Sequence, residues 1–299
     1  MNADRSTAAL ARIDAAAIDL ELRRLAATAS IEIGVRDRER VEQGVEHLGE
    51  GRRLFISHMP GQTWEATLDV CRAVRQARMQ PVPHLPVRLI ESHDALRTLL
   101  ARLADAAQIE EVLLIAGDYP AARGPFPTVS DVLALGTLEQ HGVRAVSLAG
   151  HPEGHPKVEL DVVRRAEVAK CALARAHGLQ VAAVTQFVFD AAPFLAWAAA
   201  FRSASPDTHI CCGVAGPATL ATLLKFGVAC GVGPSLRALH AHGGALRNLL
   251  GVQTPDRLMR QLAEANVAGA CRTDGVHVFS FGGYLKTAAW LHALAEGTG

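Results

Sequence analysis

The sequence predicts a single (β/α)8 barrel, an α/β fold, on three observations. Eight short β-like runs recur along the chain, helical stretches separate them, and the runs are almost continuously apolar. Parallel neighbours need long crossovers, which the intervening helices would supply. Unbroken apolar strands fit a sheet that is covered on both faces. A chain of 299 residues, 49% of them hydrophobic, can bury one such barrel, which commonly uses about 250 residues. An open doubly wound sheet is the structural alternative, but no complete G-x-G-x-x-G follows the first strand.

Residues 1–28 precede the repeat and read as one or two helices. In this N-terminal extension Leu20, Leu22 and Leu25 give a partial apolar face that could cap one end of the barrel. Residues 29–299 form the barrel domain. Its expected strands are Ser30–Ile33, Arg53–Ser57, Pro81–Leu85 and Glu111–Ala116, then Ala145–Ala149, Val181–Gln186, Thr208–Cys212 and Val276–Ser280. Between them, Thr63–Arg78 and Ala95–Ala107 carry apolar residues three or four apart, the period of a helix with one buried face. Strands seven and eight lie far apart, and helical segments at Leu220–Phe226, Leu236–Leu250 and Pro255–Asn266 fill the interval.

Composition excludes several functions. Thirty basic residues balance thirty acidic ones and the pI is about 7.2, so no global field recruits nucleic acid or an anionic membrane. Of the six cysteines only Cys211 and Cys212 are close, and adjacency is not C-x-x-C spacing. Several cysteines sit in apolar runs, as buried free thiols do, which fits a reducing cytoplasm. Asp4, Arg5 and Asp14 interrupt the alanine-rich start, so no signal peptide is expected. No run approaches the roughly 20 apolar residues of a spanning helix. A soluble cytoplasmic protein is expected, and a homo-oligomer is compatible with the sequence.

Polar residues recur where strands end: Glu32, Ser57, His84, Asp118, His151, His155, Gln186 and Ser280. In a barrel the βα loops build the active face at those ends. Glu32 interrupts the apolar run Ser30-Ile31-Glu32-Ile33, and desolvation there would raise its pKa and suit it to proton donation. An ion pair with a neighbouring Arg is the structural alternative. The turn Ala116-Gly117-Asp118-Tyr119-Pro120 offers close backbone approach and an acceptor, though it is also plain turn chemistry. His151-Pro152-Glu153-Gly154-His155-Pro156 holds two imidazoles four residues apart. No third zinc ligand is evident from spacing, and proline excludes the helix of an H-E-x-x-H site. Rigid polar contacts to an anionic or hydroxylated cofactor are the preferred reading, with no metal site.

Thr185-Gln186-Phe187-Val188-Phe189-Asp190 resembles the T-Q-x-x-F-D signature of methylenetetrahydrofolate reductases. Glu32, Pro83-His84-Leu85, Gly117-Asp118, His151–Pro156, Gly213-Val214 and Phe226 fall in that family's order, so the resemblance runs from about residue 30 to residue 282. It implies a barrel that binds FAD at its strand ends, with NADH or NADPH and a small-molecule folate as substrates. It implies Glu32 as the proton donor and Asp118 near the flavin's pyrimidine edge or assisting folate. Ser57, His84, Gly117, His151 and His155 match cofactor-contacting positions, Gln186 and Phe226 substrate-contacting ones. Phe281, in the run Phe279-Ser280-Phe281-Gly282-Gly283, is also expected on the substrate side.

The sequence also departs from the family. Ala116 replaces an arginine suited to pyrophosphate, His151 a flavin-contacting tyrosine, and Thr128 an aromatic. Phe279–Gly283 stands where an Asn-Arg pair is usual, and Gly216-Pro217 and Gly231–Ser235 also mark a divergent branch. These changes spare Glu32, Asp118 and Gln186 and fall on the cofactor side. The expected activity is reduction of 5,10-methylenetetrahydrofolate to 5-methyltetrahydrofolate. The rivals are flavin-independent hydride transfer to the same folate, a non-catalytic folate- or flavin-binding partner of a methyltransferase, and, more distantly, a metal-dependent barrel hydrolase.

Overall fold

The structure, a computed structural model, describes residues 14–117, 119–230, 232, 251–270 and 272–298. Eight strands close into one parallel barrel: β1 (Ser30–Ile33), β2 (Arg53–Ile56), β3 (Gln80–Pro86), β4 (Glu111–Ile115), β5 (Ala145–Gly150), β6 (Gln180–Val188), β7 (His209–Ala215) and β8 (Gly275–Phe279). Around the barrel the order is β1-β8-β7-β6-β5-β4-β3-β2. The helices are α1 (Ala15–Thr28), α2 (Val41–Leu48), α3 (Trp64–Gln76), α4 (His93–Ala107), α5 (Val129–Leu133), α6 (Leu160–Ala176), α7 (Ala191–Ala204), α8 (Leu220–Cys230), α9 (Asp256–Val267) and α10 (Tyr284–Glu296). A short antiparallel pair joins Ala218–Thr219 to Val252–Gln253.

Alternation along each strand builds two apolar layers. Ile31, Ile33, Leu54 and Ile56 belong to the layer between sheet and helices, with Leu68, Val74 and Leu291. Phe55, Val82, Leu113, Val184 and Cys211 fill the barrel interior. At the N-terminal end Glu111 closes the interior, 3.6 Å from Arg53 and accepting a hydrogen bond from Ser147 Oγ at 2.7 Å.

The helices start where short polar side chains can take up free N–H groups. Thr63 caps α3 and Ser92 caps α4. Asp190, the last residue of the T-Q-x-x-F-D run, caps α7 by accepting from Ala192 N. Gly44 lets α2 approach α10, because a Cβ there would lie 1.9 Å from the Tyr284 hydroxyl oxygen.

The extension's described part is one helix, α1, which buries Ile18, Leu25 and Ala26. Leu20 is exposed, so the apolar face runs through Ile18, Leu22 and Leu25 instead. Arg52, just before β2, donates to the Ala26 and Ala29 carbonyls, and Arg24 reaches Asp274 O before β8. The helix therefore lies at the barrel's N-terminal end. Among the described residues no helix is long and apolar enough to cross a membrane. The expected helix at Leu236–Leu250, and Gly231–Ser235 apart from Val232, lie outside the described residues.

Candidate functional site

On β1 the residues that alternate with Ile31 and Ile33 are Ser30 and Glu32, and they face the interior. Glu32 pairs in register with Phe55 on β2 and Phe279 on β8. Its Oε2 lies 3.7 Å from Nε2 of His84 on β3 and 3.6 Å from Nε2 of His277 on β8. Both imidazoles are buried, and neither Nε2 has a hydrogen-bond partner among the described residues. Ser30 Oγ lies 2.9 Å from His277 Nδ1, and the Phe55 ring meets His277 edge-on at 4.6 Å. The Glu32 side chain keeps 21% of its surface exposed, so one side of the carboxyl is open and the other is held by imidazole.

This environment corrects the expectation of a raised pKa. Burial pushes the Glu32 carboxyl up, but His84 and His277 together outweigh it, and the net direction is down. Burial pushes His84 itself down to about 4. His84 is therefore neutral near pH 7. Glu32 rests ionised, and its partners are histidines rather than the arginine of the alternative reading.

Ser57 and Ser280 close around the same strand end. Ser57 Oγ donates to Ile33 O at 3.1 Å, and Ser280 Oγ donates to Glu32 O at 2.5 Å. Gly117 follows β4 at φ +83°, where a Cβ would sit 2.8 Å from the Tyr119 ring. Asp118 lies outside the described residues.

After β5, His151 and His155 approach edge to face at 5.6 Å. Glu167 of α6, which no spacing in the sequence marks, is buried beneath His151. It accepts from His151 N at 2.7 Å, from Arg164 at 3.1 Å and from Trp197 Nε1 at 3.0 Å, and lies 3.1 Å from His151 Nδ1. Burial raises the Glu167 pKa, but these donors outweigh it and the net shift is down. Arg164 also donates to the His151 and Pro152 carbonyls, so the whole arrangement clamps the loop. Among the described residues no group of three or more His, Cys, Asp or Glu is arranged to hold a metal ion.

The pairing of β6 with β7 slips between Val184 and Phe187. Such an irregularity re-aims side chains. Thr185 Oγ1 accepts from Gly213 N at 2.8 Å, and Gln186 Nε2 reaches Cys230 O at 3.5 Å. Phe226 of α8 lies parallel to Phe281 at 4.1 Å, and Phe279 and Phe187 extend this aromatic wall. Gly282 follows because a Cβ there would sit 1.9 Å from Pro217 O, and Gly283 adopts φ +112°. The divergent Phe281-Gly282-Gly283 segment thus lets an aromatic wall fold against the Gly216-Pro217 turn.

Glu32, Ser57, His84, Gly117, His151, His155, Gln186 and Phe281 lie at or just beyond the C-terminal ends of the strands, and Phe226 reaches them from α8 through Phe281. A cleft of about 360 Å³ on the outer rim, lined by His58, Trp64 and Ile90 among others, contains none of them. His277 and Glu167 were missed. His277 interrupts an apolar strand as Glu32 does, a signal open to the same reasoning. Glu167 lies in mid-helix with nothing in its spacing to mark it.

These features define a (β/α)8 barrel with an acid–imidazole cluster at its C-terminal mouth. No protein-family model matches the chain. Among solved structures, the dihydropteroate synthase of Thermus thermophilus is similar at 14% identity and a TM-score of 0.47, covering 90% of this chain and 93% of that one. Fold and site rest here on the chain's own strands and side chains.

Proposed function

We propose that the chain is an NAD(P)H-dependent reductase that converts 5,10-methylenetetrahydrofolate to 5-methyltetrahydrofolate in one-carbon metabolism. The observation that carries this reading is Glu32, a partly exposed carboxyl between two buried imidazoles at the barrel mouth. The sequence resemblance that contains it supports the choice of substrate. Reduction needs one C–N bond of the methylene bridge to open, and a proton must reach the departing nitrogen. A folate closing the mouth removes the remaining exposure of Glu32 and strengthens the desolvation that already pushes its pKa up. Glu32 takes up a proton as the site closes and gives it to that nitrogen. The nicotinamide hydride goes to the methylene carbon, and the carboxylate returns to its imidazole partners.

Gln186 offers an amide to the donor–acceptor edge of a pterin, and Phe226 with Phe281 forms an apolar wall for a flat ring. Asp118 would assist folate or a flavin's pyrimidine edge. FAD, implied by the resemblance, would supply a two-step hydride relay on Ser57, His84, Gly117, His151 and His155. Those residues suit its pyrophosphate poorly: the Ser57 hydroxyl is spent on Ile33 O, and His84 is buried beside Glu32. His151 is bound to Glu167, while Arg88 and Arg164 hold loop carbonyls. These contacts favour the second reading, direct transfer from nicotinamide to folate. The buried thiols of Cys71, Cys171, Cys211 and Cys212 support a cytoplasmic setting.

The test is purified protein with NADH or NADPH and the methylene folate, alongside its visible spectrum. Nicotinamide oxidation that depends on folate is expected. A flavin band near roughly 450 nm would favour the FAD route, and its absence the direct one. Failure to oxidise either nicotinamide would refute the reductase.

A further inference from the structure

Three polar atoms meet in the barrel interior without a conventional hydrogen bond between them. His84 Nε2 and His277 Nε2 stand 3.7 and 3.6 Å from Glu32 Oε2, and among the described residues both nitrogens are otherwise unpartnered. Buried polar atoms are nearly always satisfied, so an orphaned pair aimed at one carboxyl calls for a reason. The two histidines differ in their backing. His277 is fully buried, and its other nitrogen lies 2.9 Å from Ser30 Oγ. Ser30 Oγ is also 3.5 Å from Val276 O, a weaker acceptor position. With Ser30 donating to Nδ1, the His277 proton sits on Nε2 and points at Glu32. The opposite tautomer would turn a bare lone pair toward a carboxylate.

We propose that His277 is a positioning residue, which holds the Glu32 carboxylate from below as its Nε2–H tautomer and sets its proton affinity, with Ser30 fixing that tautomer. This rests on the reading of Glu32 as the proton donor. When Glu32 gives its proton to the departing folate nitrogen, the C–N bond breaks onto that nitrogen and the methylene carbon accepts hydride. The new negative charge then lies on Oε2, opposite the His277 N–H. Solvent reprotonates Glu32 after product leaves. The groups that face Glu32 are His84 from β3, His277 from β8 and the Phe55 ring from β2, with His58 acting on His84 from beyond β2.

The sign of the effect follows. An N–H facing the carboxylate favours its ionised form, so its removal raises the Glu32 pKa. His277→Phe keeps a ring between Phe55 and Phe279 but lacks the donor, whereas His277→Gln keeps an N–H. In steady-state assays the fall of kcat with rising pH should begin about one pH unit higher in His277→Phe, a tenfold change in proton affinity. The folate KM should be unchanged, and His277→Gln should follow the wild type. Nitrogen-15 spectra of the wild-type imidazoles should show His277 protonated on Nε2. An unchanged pH profile in a folded His277→Phe protein, or protonation on Nδ1, overturns the proposal, as does a stoichiometric divalent metal bound by this cluster. If the wild type reduces no folate, the functional reading fails by itself. Carbon-13 titration of the Glu32 carboxyl, assigned by difference from Glu32→Gln, then decides: a higher pKa in His277→Phe supports the role of His277, and an equal pKa overturns it.

Discussion

Replacing Glu32 by glutamine removes the transferable proton while keeping the side chain's length. In the resting site two buried imidazole nitrogens face one carboxylate oxygen at 3.6 and 3.7 Å. A glutamine that places its carbonyl oxygen there can still accept from both, giving up only the charge on the acceptor, at about 1 kcal/mol. That cost falls on stability and is small beside the total stability of a domain of this size. The chemical cost is larger. Positioned acid catalysis contributes about 10²–10⁴-fold, so folate reduction by Glu32→Gln should slow by that factor, a barrier increase of about 3–5 kcal/mol. Nicotinamide binding should hardly change, because the variant alters the proton and not the hydride. Turnover with saturating methylene folate measures the first quantity, and fluorescence titration with NADH or NADPH the second. Wild-type turnover by Glu32→Gln would remove Glu32 from the mechanism, and an equal loss of nicotinamide binding would make it a structural residue.

Gln186→Ala should raise the folate KM and lower kcat/KM with the fold intact, since the amide's contact with Cys230 O is long; unchanged folate kinetics would make Gln186 structural. Glu167→Ala leaves Trp197, His151 and Arg164 without their shared acceptor and should cost about 3–5 kcal/mol by urea titration. Because Glu167 is held below its ordinary value of 4.5, its stabilisation is full above that pH and is lost as pH falls through the depressed value. The wild type should accordingly lose its stability margin over Glu167→Ala in acid, and a margin that persists there would contradict the clamp. Gly44→Ala drives a methyl into the Tyr284 hydroxyl and should destabilise by about 1–3 kcal/mol or more; an unchanged Tm would show that α2 and α10 can part freely.

The barrel was legible because its strands are apolar on both faces, so all eight runs stand out from their polar surroundings. Their ends were less so. β6 runs to Val188 and β7 to Ala215, past the expected ends, because pairing resumes beyond the slip at Phe187 with Gly213 and Val188 with Val214. Leu20 was assigned to the buried face by its type, whereas helix geometry exposes it and buries Ile18. In the site, Glu32 announced itself by interrupting an apolar strand. The sign of its pKa shift did not, since that depends on His84 and His277, far away in sequence and adjacent only once the barrel closes. Glu167 was illegible for the same reason: a carboxylate in mid-helix reads as a solvated face until Trp197 and His151 are folded over it.

As the proposed reductase, this chain would move hydride from a nicotinamide to the methylene carbon of a folate. The most direct test is to supply NADH or NADPH deuterated at the transferring position together with 5,10-methylenetetrahydrofolate, and to weigh the methyl group of the product. Direct transfer would give 5-methyltetrahydrofolate carrying one deuterium. A deuterium partly lost to solvent hydrogen would point to a flavin between the two substrates. No methyl folate, or methyl folate formed without nicotinamide oxidation, would contradict the proposed reductase.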